Sequence, residues 1–322
     1  VLDSFNFYFF LINFLSTVFL SLICCYCIKV YFKKLGIIDI PNKRSSHVEP
    51  VVLSGGVGFL IVFGCCVFVL LPKLVLSHLV LISAFILLFL VSFYDDLKQL
   101  SSKVRFFIHF LVGNAFFFSN VKLLTINLLF LNINLNNYMS YFCTVFFVMA
   151  LINIYNFMDG IDGYAGGVGV FASLFFAVSF LFMRNFQLAL ICFSLVGSLL
   201  GFLFFNFPMP KAKMFMGDVG SAVLGAIFAF FSLKYSMYST DFSYSILVPM
   251  MVLGVFICDA STTLFIRLLK KENILEAHRS HFYQKLNIIG WSHFRITLLE
   301  YIHLFVCLFF VINILFYELI NV

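Results

Sequence analysis

The sequence predicts an all-α integral membrane protein of about ten transmembrane helices, with both termini outside and a polar site built from the cytoplasmic loops. Three observations predict this. Apolar residues make up 63% of the 322 positions and charged residues only 11%, against about 25% charged in soluble domains. A soluble fold cannot bury so large an apolar fraction. The apolar residues also come in continuous runs, near the ~20 residues that cross a hydrocarbon core, and not in the alternation of a membrane barrel. Finally, the cations segregate by loop. A soluble enzyme, a disulfide-stapled secreted domain and a disordered chain are excluded.

Ten spans are expected, at roughly 5–31, 54–71, 75–94, 105–119, 139–153, 164–183, 187–205, 219–236, 244–268 and 294–317, forming one polytopic domain over 1–322. The first run has no cationic leader and no small-residue cleavage site, so it reads as a retained helix. The loops after the odd-numbered spans, with their helix ends, hold 16 of the 20 Lys and Arg residues; Lys73, Lys122, Arg184 and Lys234 lie on the other side. This split orients the odd loops to the cytoplasm. It also makes the net charge of +6 a matter of topology, with no nucleic-acid partner implied. The nine Cys lack metal-site spacing and read as small packing hydrophobes. Segment 121–137 is either a short outer hairpin or the end of the fourth span. No internal repeat points to an inverted-repeat transporter.

The informative polar residues lie in the five odd loops, which hold nine of the 14 acids. Charges at a membrane are expensive and tend to mark function. The first loop, Asp39-Ile-Pro-Asn-Lys-Arg44-Ser-Ser-His47 followed by Ser54-Gly55-Gly56, offers side-chain and backbone donors for a phosphate, or is simply a basic loop. The second opens with Asp95-Asp96 at the end of span 3, followed by Lys98, Lys103 and Arg105. Two adjacent carboxylates at a helix C-terminus oppose the helix dipole and need cations or a metal to compensate. The third, Asn153-Ile-Tyr-Asn156-Phe-Met-Asp159-Gly-Ile-Asp162-Gly163, presents hard oxygen donors suited to Mg²⁺ or a nucleotide, with Asp159 and Asp162 spaced to face the same way. It lacks the 12-residue ladder of an EF-hand.

The fourth loop carries Asn206, Lys211, Lys213 and Phe215-Met-Gly-Asp218-Val-Gly-Ser221. Asp218 is placed as a helix N-cap or an anion-site residue. Phe215 stands where a presenilin-like Gly-x-Gly-Asp motif needs Gly, which argues against an intramembrane protease. The fifth loop, His278-Arg279-Ser-His281-Phe-Tyr-Gln-Lys285, is expected to be helical, with His278 and His281 sharing a face as phosphate donors or acid–base groups. Asp259 and Arg267 lie two turns apart on span 9, where Asp259 is unusual in an apolar run. His78, His109, His303 and Glu318 carry no motif and read as structural.

These pieces, in this order, resemble the bacterial polyprenyl-phosphate N-acetylhexosamine-1-phosphate transferases of the glycosyltransferase family 4 type. The matching residues are Pro41-x-x-Arg44-Ser-x-His47-x-x-Pro50 with Gly55-Gly56, Asp95-Asp96, Asn153-x-x-Asn156-x-x-Asp159-Gly-x-Asp162-Gly, Phe215-x-Gly-Asp218-x-Gly-Ser221 and the histidine-containing last loop. The last loop lacks the clustered histidines of the muramoyl-pentapeptide branch and resembles the branch that starts O-antigen. The spacing from Asn206 to Asp218 is slightly longer than in the muramoyl branch.

The resemblance implies transfer of a sugar-1-phosphate (GlcNAc, or a 6-deoxy relative such as FucNAc or QuiNAc) from a UDP-N-acetylhexosamine to undecaprenyl phosphate in the bacterial inner membrane. Mg²⁺ is the implied cofactor, with Mn²⁺ as an alternative. It further implies Asp95, Asp96, Asp218 and His281 as catalytic residues, with Asp218 and Asp96 at the metal. Arg44, Lys103, Arg105, His278 and Arg279 would meet phosphates. Asp159 and Asp162 would bind the nucleotide, Phe215 would stack on the base, and Asn156 and Asn206 would support both. A homo-oligomer is compatible with the sequence. The rival from another class is a transporter of an anionic solute. It predicts charges deep within several spans, which are almost missing here.

Overall fold

The computed structural model describes residues 4–41, 49–128, 131–207, 209, 211–238, 246–273 and 278–320. In chain order these form α1 (Ser4–Leu35), β1 (Ile38–Asp39), β2 (Val51–Val52), α2 (Gly56–Leu70), α3 (Pro72–Ser77), α4 (Leu79–Lys98), α5 (Ser102–Phe118), β3 (Thr125–Leu128) and β4 (Leu131–Asn134). Then follow α6 (Asn137–Phe157), α7 (Tyr164–Phe182), α8 (Phe186–Asn206), α9 (Gly217–Tyr238), α10 (Leu247–Val252), α11 (Gly254–Leu269), α12 (Phe282–Ile288) and α13 (His293–Ile320). Most of the described residues of each expected span are helical, and the third span is interrupted at His78 between α3 and α4. Among the described residues seven helices are long and apolar enough to cross a membrane: α1, α4, α6, α7, α8, α9 and α13. The second and fourth segments are shorter, at 15 and 17 residues. The ninth is divided at Leu253 into α10 and α11.

Helix α9 is the centre of the bundle. Of its most apolar window 89% is buried, against 28% for α4 and 22% for α1. It packs on α4 and α6, while α8 packs on α1 and α7. The hydrophobic effect does not drive helices together inside lipid, so close backbone approach and interhelical hydrogen bonds must do it. Gly197 and Gly201 of α8 supply the approach, for a Cβ at Gly201 would come within 2.6 Å of the Ser21 Cβ. Ser21 Oγ donates to the Ser198 carbonyl (2.6 Å), and Asn13 Nδ2 donates to Ser194 Oγ (2.8 Å). Asn136 and Asn185 cap α6 and α8 by accepting from the amides of Met139 and Leu188, each satisfying an orphan donor of the first turn.

Segment 121–137 resolves as the hairpin: β3 and β4 pair antiparallel with Ile126 opposite Ile133. The first and fourth loops meet in a ladder that periodicity did not announce. β1 pairs with β2, Val52 bridges Met214 in parallel, and the Phe215 amide donates to the Val52 carbonyl (2.8 Å). The amides of Gly55 and Gly56 donate to the carbonyls of Phe215 (2.7 Å) and Met216 (2.8 Å). This corrects the expectation that the glycine pair offers its N–H groups to a phosphate: they hold the start of α9.

Candidate active site

The site is assembled where the C-terminus of α4, the start of α5, the end of α6 and the N-terminus of α9 converge. Gly217, with φ +76°, turns the chain into α9. A Cβ on Gly56 would sit 2.5 Å from the Cα of Gly220, so α2 and α9 touch backbone to backbone. The first amides of α9 then point at Asp96. Asp96 Oδ1 accepts from the Asp218 amide (2.8 Å), and Oδ2 accepts from Ser54 Oγ (2.7 Å) and the Val219 amide (3.4 Å). A carboxylate supplied by another helix therefore caps α9 and complements the positive end of its dipole.

With its amide fixed in this way, Asp218 presents its carboxylate to two other helices. Oδ1 accepts from Asn156 Nδ2 of α6 (3.0 Å), and Oδ2 lies 3.4 Å from Arg105 Nη1 of α5. Asn156 Nδ2 also donates to Ser221 Oγ (3.2 Å). The same Nη1 lies 3.4 Å from Asp95 Oδ2. Asp95 is buried, and its Oδ1 accepts from the Leu100 amide beyond the helix end. Arg105 thus bridges Asp95 and Asp218. Asp159, in the turn between α6 and α7, completes the group. Burial, and then the charges of Asp218, Asp96 and Asp162, push its carboxyl well above the usual carboxylate range. One guanidinium thus bridges two carboxylates, Asp95 and Asp218, with Asp96 behind Asp218 and Asp159 near enough to feel their charges.

Such a donor set, all hard oxygen and strongly under-compensated in charge, suits Mg²⁺. Among the described residues no three His, Cys, Asp or Glu side chains enclose an ion by themselves.

Two residues expected at the ligand are spent on architecture. Asp162 is buried; its Oδ2 lies 3.2 Å from His293 Nδ1 and accepts from the Ala212 amide (3.2 Å). It therefore does not share a face with Asp159. Asn206 is 4% exposed; its Oδ1 accepts from the Gly163 amide and its Nδ2 donates to the Met214 carbonyl, both at 3.0 Å. It clamps the third loop to the fourth, and any support it lends a ligand passes through those backbones.

The fifth loop is not one helix. α12 begins at Phe282 and His281 is its N-cap, with extended φ −63°, ψ 152°. His278 precedes the helix, so the two imidazoles do not share a helical face, although their centroids lie 4.9 Å apart. His281 is buried, with Nδ1 3.2 Å from Asp259 Oδ1; Asp259 also accepts from the amides of Phe282 and Tyr283. The unusual acid of span 9 is thus the anchor of α12. Arg267, two turns along the same span, pairs with Glu272 (3.2 Å). Burial, aided by the charges of Arg267 and His281, lowers the His278 pKa to about 4. Tyr283 closes on the third loop, donating to the Phe157 carbonyl (3.0 Å). Phe215 and Arg279 are half-buried and Lys103 is exposed. Arg44 lies outside the described residues.

Sequence reasoning missed the polar stripe of α13. His293 meets Asp162, Thr297 Oγ1 donates to the Asp162 carbonyl (2.8 Å) and Tyr301 OH to the Gly163 carbonyl (2.5 Å). The spacing of four was legible as one helical face. His109, which reads as structural in the sequence, is buried one turn from Arg105, and its Nδ1 has no hydrogen-bond partner among the described residues.

Residues 78–236 match glycosyl transferase family 4. A probable undecaprenyl-phosphate N-acetylglucosaminyl 1-phosphate transferase of Bacillus subtilis (strain 168) is 32% identical over 273 residues, 84% of this chain and 75% of that protein. The chain belongs to glycosyl transferase family 4. It is a multi-pass membrane transferase of that family. The undecaprenyl-phosphate alpha-N-acetylglucosaminyl 1-phosphate transferase of Escherichia coli (strain K12) is 27% identical over 81% of this chain and 71% of its own. A phospho-N-acetylmuramoyl-pentapeptide-transferase of Listeria welshimeri is 31% identical over only 54% of this chain and 52% of its own. Similarity to the first two thus extends beyond the part shared with the muramoyl enzyme.

Proposed function

We propose that this family 4 member transfers an N-acetylhexosamine-1-phosphate from a UDP-sugar to undecaprenyl phosphate in the bacterial inner membrane. UMP is released and a surface glycan such as lipopolysaccharide O-antigen is started. The observation that carries this reading is Asp218, fixed at a helix N-terminus by Asp96, Asn156 and Arg105 beside Asp95 and Asp159. Such a site suits a reaction whose demands are positioning and charge neutralisation, as in phosphoryl transfer.

The acceptor's phosphate oxygen bonds to the β-phosphorus, the bond from that phosphorus to the bridging oxygen breaks, and UMP leaves with the electron pair. Mg²⁺, held by Asp218 with Asp96 behind it, would neutralise diphosphate charge. Asp96 keeps Asp218 in place, since its own oxygens carry the cap bonds. Arg105 holds Asp95 and Asp218 apart from mutual repulsion and offers its remaining N–H donors to phosphate oxygens. Asp95 orients the acceptor phosphate, whose second pKa of ≈ 6 asks little of a base. Asp159 and Phe215 line the side assigned to the nucleoside. His278 meets phosphate as a neutral donor or acceptor, and Lys103 and Arg279 draw anions in. The buried His281 sets the position of that loop.

Exchange of labelled UMP into UDP-GlcNAc by the purified protein, with undecaprenyl phosphate and Mg²⁺ present, tests this reading. Lipid-dependent exchange that stops on chelation is expected. Exchange that ignores the lipid would sink the acceptor assignment.

A further inference from the structure

A cavity of about 400 Å³ lies between α2, α3, α4, α8 and α9, away from the carboxylates. Its walls are aliphatic and aromatic, among them Leu60, Phe63, Phe85, Ile191 and Phe231, and His78 is the one ionisable side chain on them. The volume falls within the ~300–1,000 Å³ of small-molecule sites. Phe68, Ile86 and Leu90 line it and are about half exposed (49%, 49% and 56%) on the outside of the bundle, so it opens toward lipid.

The second observation is at one end. Lys234 is half-buried, with Nζ 3.5 Å from His78 Nε2 and 5.8 Å from the centroid of Phe230, which lines the cavity. Among the described residues no carboxylate pairs with Lys234. It lies 16 residues along α9 from Asp218, and His78 lies 17 residues before Asp95. At 1.5 Å per residue that is about 25 Å, nearly the ~30 Å depth of the hydrocarbon core. A lysine that merely snorkels would extend into water. This one stays packed against the mouth of an apolar cavity, at headgroup depth on the face opposite the carboxylates.

We propose that this cavity binds one anionic phospholipid from the leaflet opposite the carboxylate cluster, its acyl chain between α2, α4 and α9 and its phosphate on Lys234 and His78. Charge complementarity selects the headgroup, since an uncompensated cation between helices favours anionic lipid. The apolar walls select a hydrocarbon chain. The site is independent of the transfer reaction.

Native mass spectrometry of the full-length protein, with phosphatidylglycerol and phosphatidylethanolamine offered in competition, tests this. One phosphatidylglycerol should be retained in preference. Lys234→Gln should cut that preference about fivefold to tenfold, the loss of one ammonium–phosphate contact, and Lys234→Arg should keep it. Gly64 is on the cavity wall and a Cβ there meets nothing within 4 Å, so Gly64→Leu occupies part of the cavity and should lower retention of either lipid. If Lys234→Gln does not fold, Gly64→Leu carries the test. Equal retention of the two lipids by the unaltered protein would overturn the proposal. So would undiminished phosphatidylglycerol retention in Lys234→Gln or Gly64→Leu.

Discussion

Asn206→Ala separates a residue that builds the site from one that touches the ligand. The amide of Asn206 satisfies the Gly163 N–H and the Met214 carbonyl, both at 3.0 Å, and the side chain is buried. Truncation leaves two buried backbone groups unpaired, at about 1–3 kcal/mol each. Partial relaxation brings the total to about 2–4 kcal/mol. For a chain of this size that is a fall of about 4–8 °C in the apparent midpoint, at ~2 °C per kcal/mol. Asn206→Asp keeps the acceptor for Gly163 but turns the donor facing Met214 into a second acceptor, so it should lose comparable stability. Thermal unfolding of the detergent-solubilised protein, followed by a thiol-reactive dye, reads both variants. Transfer should fall in parallel, because the turn bearing Asp159 and the segment before Asp218 are no longer tied. A variant with an unmoved midpoint and abolished transfer would refute the clamp and return Asn206 to the ligand.

Arg105→Gln leaves Asp95 and Asp218 with no cation between them; transfer should drop about 10- to 100-fold, or ~1.4–3 kcal/mol of activation free energy, and a rate near that of the parent would contradict the bridge. Asp159→Asn removes a charge that Asp218, Asp96 and Asp162 oppose, so its midpoint should rise while its transfer falls; a lowered midpoint would show that the charge is compensated. His278 has its pKa depressed from 6.5 to about 4, so protonation favours the unfolded chain. Its contribution is whole above about pH 6.5 and is lost as the pH falls toward 4. The midpoint should therefore decline less on acidification in His278→Gln than in the parent; identical declines would exclude that coupling.

Much of this architecture was legible because long apolar runs admit only one solution in lipid. The expected segments are helical over most of their described residues, seven of them long enough to cross, and the acidic motifs of loops two and four came together at Arg105, which meets Asp95 and Asp218. The partners of each acid were not legible. Asp159 and Asp162 are three apart, and only the position of His293, 131 residues beyond Asp162, decides that one faces the pocket and the other the scaffold. Gly55 and Gly56 read equally well as phosphate donors until the carbonyls of Phe215 and Met216 occupy them. His278 and His281 fit a helical spacing, but Asp259 captures the amides after His281 and starts the helix there. Interhelical capping, as of α9 by Asp96, leaves no local signature. The α13 stripe of His293, Thr297 and Tyr301 did leave one, as did Gly197 and Gly201.

The most direct test is sugar-1-phosphate transfer by purified membranes supplied with undecaprenyl phosphate and Mg²⁺, offering UDP-GlcNAc, UDP-GalNAc, UDP-QuiNAc and UDP-FucNAc in turn beside Asp218→Asn. A lipid-linked product with one donor, lost on chelation and lost in Asp218→Asn, is the predicted result. Product formed at the parent's rate by Asp218→Asn would contradict the central place given to that carboxylate, and no product from any donor would contradict the proposed reaction.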